Sequence, residues 1–176
     1  MADQQNLPAD KLDPAQNPLH RFYNGKTEMV QLSDLNENNP AVMDYLVGAY
    51  LQWIDQGAGA FRVDTIKHMP LTFWKTFSER IRGVHPGFVM FAEAYDFNAE
   101  KIAPFTWPEN GGISVLDFPL KDRLAKVFGH DNAGFEKLAD ALYLIDGPYQ
   151  NPYELMTFYD NHDMPRLDAD DYGFIN

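Results

Sequence analysis

Three short apolar runs in this chain end on acids: Phe61-Arg62-Val63-Asp64, Phe88-Val89-Met90-Phe91-Ala92-Glu93, and Leu155-Met156-Thr157-Phe158-Tyr159, which leads into Asp160-Asn161-His162-Asp163. Each run has the length and apolar content of a buried β-strand. Parallel strands deliver their last residues to one rim. In a barrel of alternating strands and helices, active sites are built on that rim because the loops converge there. Two carboxylates about 5 Å apart on such a rim can break a glycosidic bond with retention, one as nucleophile and the other as proton donor. A third can steady the cationic transition state. Arg62 lies two residues before Asp64, on the same face of a period-two strand, and can keep that carboxylate ionised and oriented. Each acid also fits a plainer role: Asp64 can cap the next helix or pair with Lys67, and Asn, His and Asp all suit turns.

The elements around these runs alternate. Residues 1–23 carry Pro8, Pro14 and Pro18 among Asn, Gln and Asp, and read as an extended loop. Asn39 is a capping residue and Pro40 suits the first helical position. Val42, Tyr45, Leu46, Ala49, Tyr50, Trp53 and Ile54 then recur at helical spacing as far as Gly57. The spacing of Tyr45, Tyr50 and Trp53 predicts a buried helix face rather than a sugar-stacking surface. A strand is expected over 60–63, a helix over 71–82 and a strand over 88–92. Beyond these come a strand over 113–118, helices over 120–128 and 135–145, and a last strand over 155–159. Apolar strands separated by helices of this length indicate an α/β fold with a parallel sheet covered on both faces. Four strands with their crossovers make about half of an eight-stranded barrel; a small complete open sheet is the other architecture compatible with this count.

Composition excludes several functions. The 176 residues are 45% hydrophobic and 14% aromatic, enough for a folded core. With 26 acids against 14 bases the formal charge is −12, which opposes binding to nucleic acid or to an anionic membrane surface. There are no cysteines, so disulfides, thiolate metal sites and thiol catalysis are excluded. Residues 1–20 lack an apolar stretch of signal-peptide length, and no 18-residue apolar run follows. The chain as written is expected to be soluble and without an export signal.

Four segments resemble conserved signatures of the alpha-amylase family of glycoside hydrolases, which includes alpha-amylases and cyclodextrin glucanotransferases. Gly59-Ala60-Phe61-Arg62-Val63-Asp64-Thr65-Ile66-Lys67-His68 resembles the fourth-strand signature and Phe91-Ala92-Glu93 the fifth. Phe158-Tyr159-Asp160-Asn161-His162-Asp163 resembles the seventh, and Leu32-Ser33-Asp34-Leu35-Asn36 a segment near the end of the family's inserted second domain. They occur in the family's order. The resemblance implies part of a (β/α)8 TIM barrel, about strands four to seven with their helices, over 39–176. Residues 1–38 would form the loop-rich tail of the inserted domain.

The resemblance implies a retaining hydrolase or transglycosylase acting on alpha-1,4-linked, starch-like glucans. Asp64 would be the nucleophile, Glu93 the general acid/base and Asp163 the stabilising acid. Arg62 and His162 would assist at the reacting sugar, while Lys67 and His68 would line the leaving-group subsites. It also implies a structural Ca²⁺, for which Asp34 matches a side-chain ligand and His68 a carbonyl donor. The third-strand signature, which supplies another ligand, does not occur upstream of residue 31, and no eighth strand follows Asp163. The calcium site is therefore expected to be partial. The missing barrel portions, or a second copy, would be needed to cover open sheet edges, and the parent enzyme is expected to be a secreted or periplasmic bacterial one. Two other readings are set against this: an inactive amylase-like binding or transporter-associated subunit, which the retained acids oppose, and a catalytic metal centre of Asp34, His162 and Asp163, which leaves Arg62 unexplained.

Overall fold

The structure is a computed structural model that describes residues 9–25, 34–129 and 134–164. It divides into two compact units, each described by itself. One takes the described residues up to Ala58 together with Arg80–Pro86; the other takes Gly59–Glu79 and the described residues from Gly87 onward.

In the first unit, residues around Tyr23 and Leu35 meet in a single antiparallel bridge. Helix α1 follows at Pro40–Asp55, begun by the Asn39 side chain, which accepts the Ala41 N–H at 3.0 Å, and by Pro40. Its C-terminus closes at Gly57, whose φ of 105° lets the Ala58 N–H reach the Trp53 carbonyl. The buried residues of α1 are Val42, Met43 and Val47. Tyr45 is 74% exposed and Trp53 63% exposed, with Tyr50 also on the exposed side, so the expected aromatic core stripe is corrected. Apolar residues occur around most of this helix, and their spacing alone does not select which arc faces inward.

The second unit is built on a parallel sheet in the order β1 (Ala60–Val63), β2 (Val89–Ala92), β3 (Ser114–Val115). Register pairs Arg62 with Phe91 and Val63 with Ala92, so β1 and β2 end side by side. Helix α2 (Leu71–Val84) forms the β1-to-β2 crossover. Its Phe73, Trp74 and Phe77 are buried in mutual ring contact. The Trp74 indole donates to the Ile66 carbonyl at 2.7 Å, tying the turn after β1 to this helix. The core of this unit includes Ile66, Met90, Ile102, Ile113, Val115 and Phe118, all fully buried.

Between β2 and β3 the chain makes helix α3 (Ala99–Ile102) and short 3-10 turns. The Ser78 hydroxyl donates to the Gly111 carbonyl at 2.6 Å, and Gly111 holds φ 106°. A Cβ there would stand 2.8 Å from the Trp74 carbonyl oxygen. Gly111→Ala is accordingly expected to cost at least about 2 kcal/mol, from backbone strain and the displacement of α2 together. A lowered urea midpoint checks it.

After β3, helix α4 (Phe118–Phe128) is capped by Asp117, whose buried carboxyl accepts the Leu120 N–H. Two expectations are corrected here. The helix expected over 135–145 is a single turn, α5 (Glu136–Ala139), after which Tyr143 and Asp146 adopt positive φ. Leu142, Leu144 and Ile145 stay exposed, so no apolar face is packed to stabilise a longer helix. The strand expected over 155–159 reduces to one parallel bridge, Leu116 with Met156, made by Met156 N–H to Val115 O and Asp117 N–H to Met156 O. Even that bridge runs parallel to β3 and keeps the direction of the sheet.

Candidate active site

Because β1 and β2 are parallel and in register, Asp64 and Glu93 leave the sheet as neighbours at its C-terminal rim. Main-chain hydrogen bonds lock them there: the Glu93 N–H donates to Val63 O at 2.8 Å, and the Ile66 N–H donates to Glu93 O at 3.2 Å. The Arg62 guanidinium sits between the two acids, 2.9 Å from Glu93 Oε2 and 3.4 Å from Asp64 Oδ1. Arg62 thus bridges the two carboxyl groups.

The Glu93 carboxyl has a raised pKa. Burial lifts it first, then the hydrogen bond and like charge of Asp64; Asp163 adds to the rise and Arg62 opposes it. The Glu93 side chain is 12% exposed against 66% for Asp64, so the environment separates the two into a sheltered carboxyl and an accessible one. Asp163 approaches from the loop after the Met156 bridge. Its N–H donates to Asn161 Oδ1 at 2.9 Å, and its carboxylate lies 3.1 Å from His162 Nε2. Asp64, Glu93 and Arg62 thus meet, and Asp163 lies near enough for its charge to act on Glu93.

The turn between Asp64 and the 3-10 residues Ile66–His68 runs through Thr65 at φ 46°, ψ 40°. A β-branched residue in the left-handed region is strained. Thr65→Asn is expected to stabilise the fold by about 0.5–1 kcal/mol, since Asn tolerates this conformation better; a raised denaturation midpoint checks it. The strain sits directly after the candidate nucleophile, and the sequence carries no sign of it.

Lys67 does not extend freely from the rim. Its ammonium donates to the Tyr95 carbonyl at 2.9 Å and lies 3.5 Å from Asp96 Oδ2. Asp96 also accepts the Asn98 N–H at 3.0 Å and faces Lys101 at 3.4 Å, and these donors hold its carboxyl below the usual range. Asp96 was not singled out from sequence. The legible trace is Asp96-Phe97-Asn98, an acid two residues before the Asn98 that caps α3.

His68 and Asp34 fall in different compact units. Among the described residues, no three His, Cys, Asp or Glu side chains gather in a way that could hold a metal ion. One carboxylate and one carbonyl are fewer than the six to eight oxygens that Ca²⁺ takes, so these two groups by themselves do not make up a calcium site. Leu32 and Ser33, the start of the segment containing Asp34, lie outside the described residues. No helix among the described residues is long and apolar enough to cross a membrane.

The family model described as "Alpha amylase, catalytic domain" matches residues 16–170. A cyclomaltodextrin glucanotransferase of Bacillus sp. (strain 38-2) is 32% identical over 94% of this chain and 24% of its own length. An alpha-amylase of Niallia circulans is 33% identical over 79% of this chain and 26% of its own. The chain therefore spans about a quarter of the length of the curated relatives it matches. Among solved structures, the alpha-amylase of Geobacillus thermoleovorans, complexed with acarbose, superposes with a TM-score of 0.80 at 26% identity, covering 90% of this chain and 39% of that one. A cyclomaltodextrin glucanotransferase with a three-domain ABC distribution gives 0.73 at 32% identity, covering 93% of this chain and 33% of that one.

Proposed function

The chain belongs to the alpha-amylase catalytic-domain family, and from that premise we propose that it carries the catalytic acids of a retaining glycosidase or transglycosylase acting on alpha-1,4-glucans. The observation that carries the reading is the Asp64–Glu93 pair set side by side at the ends of two paired parallel strands and bridged by Arg62, with burial raising the Glu93 pKa.

In this reading Glu93 gives its proton to the glycosidic oxygen while an Asp64 oxygen bonds to the anomeric carbon. The bond to the leaving sugar breaks, and that sugar departs as an alcohol. Glu93, now a carboxylate, takes a proton from water or from a sugar hydroxyl. The oxygen of that molecule displaces Asp64 from the anomeric carbon, and both acids return to their starting states. Asp163 binds the ring hydroxyls of the distorted sugar, and its charge favours the oxocarbenium-like transition state. Arg62 favours the Asp64 carboxylate before it attacks and again as it is displaced, and keeps it oriented between the two steps. His162 hydrogen-bonds the same sugar, and Lys67 and His68 border the leaving-group side.

The parallel edge of β1 has no strand partner on its outer side among the described residues, which supports closure by barrel portions from elsewhere in the protein or by a second copy. Polymeric glucan cannot cross a bilayer, which supports a secreted or periplasmic site of action. The test follows maltoheptaose with the intact protein by proton NMR. The α-anomer of the new reducing end is expected to appear first. Initial appearance of the β-anomer would overturn retention, and no cleavage or transfer at all would overturn the reading.

A further inference from the structure

A second cross-link joins the two loops that carry Asp64 and Glu93. Lys67 lies three residues beyond Asp64 and Asp96 three beyond Glu93; their side chains meet at 3.5 Å while Lys67 also holds the Tyr95 carbonyl. We propose that Asp96, acting through Lys67, is a positioning residue that fixes the separation of Asp64 and Glu93. The proposal rests on the function proposed above.

Three observations carry it. Asp96 is itself anchored: one oxygen accepts the Asn98 N–H, the other faces Lys67 and Lys101, and its side chain is only 19% exposed. The turn it braces contains the strained Thr65, and a strained turn persists only when its surroundings over-determine it. Finally, an isolated pair with a half-exposed lysine adds little to global stability, whereas a small displacement of reacting groups costs about 10²-fold in rate. The latch therefore matters more to geometry than to folding.

Asp96→Asn and Lys67→Met are the test variants, made in the intact protein. Both are expected to lower kcat on maltoheptaose about 10- to 100-fold, with KM moving less and the denaturation midpoint unchanged. Asp96→Glu restores part of the loss, and the double variant is no worse than the poorer single one. A second measurement does not depend on turnover: NMR titration of the Glu93 carboxyl carbon. The charged groups facing Glu93 are Arg62, Asp64 and Asp163. If the latch sets the distance to Asp64, loosening it weakens the interactions that raise Glu93, and both variants lower its pKa. A purely through-space effect gives opposite signs, since Lys67→Met removes a cation and Asp96→Asn an anion. Opposite signs, an unmoved titration, or a loss confined to KM would overturn the proposal. Wild-type protein that neither cleaves nor transfers glucan overturns the function proposed above, while the titration still decides this one.

Discussion

Asp64→Asn is expected to lower kcat on maltoheptaose by about 10⁴- to 10⁶-fold, the scale seen when a covalent nucleophile is removed. Asparagine keeps the size of the side chain but offers an amide in place of a carboxylate, and no glycosyl ester can form on it. The neutral side chain also gives up the negative charge opposite the developing oxocarbenium ion. Folding does not depend on this group, whose side chain is mostly in solvent. The variant should therefore keep the denaturation midpoint of the parent, which separates lost chemistry from lost structure. Undiminished turnover in the variant would remove the covalent mechanism.

Glu93→Gln is expected to lower kcat by about 10²- to 10⁴-fold and to abolish the alkaline limb of the pH–rate profile. That limb belongs to Glu93 because a general acid must hold its proton, and activity falls as pH rises through its pKa. Burial and Asp64 push that pKa above the ordinary carboxylate value, so the limb lies at higher pH than for a solvated glutamate. The same shift couples to folding. A proton held more tightly in the folded state contributes stability that is fully present below the unfolded pKa and is lost as pH rises through the folded one. The midpoint difference between Glu93→Gln and parent should consequently move in favour of the variant from about pH 4 toward neutrality. A difference flat across that window would mean that Glu93 titrates as a solvated acid.

The parts legible beforehand were those with strong local signals. Strand β1 follows from an apolar run between Gly59 and Asp64, and α1 from the Asn39-Pro40 start and the Gly57 stop. The helix expected over 135–145 and the strand expected over 155–159 had the right residue types. Both needed packing partners along their whole length, and among the described residues these are not supplied to Leu144 and Ile145 or beyond the Met156 bridge. The error over Tyr45 and Trp53 has the same origin, since periodicity reports that a helix is apolar and not which arc meets a neighbour. Of the candidate site, the meeting of Asp64, Glu93 and Arg62 at one strand end was legible from their spacing and neighbours. Asp96 was not, because its partners Lys67 and Lys101 lie on opposite sides of it in the chain and meet it only after folding.

By itself, the order of residues determined which groups reach one rim. Strand periodicity sets Arg62 and Asp64 on one face, and strands of one direction end on one side of the sheet. Tertiary structure decided what those groups are once there. It sheltered most of the Glu93 side chain while leaving Asp64 in solvent, laid Arg62 between them, brought Asp163 close enough for its charge to be felt, and turned Lys67 onto Asp96. The division has one physical reason: the path of the backbone is written in local apolar spacing, but the ionisation of a carboxyl depends on desolvation and on charges brought near it by distant parts of the chain.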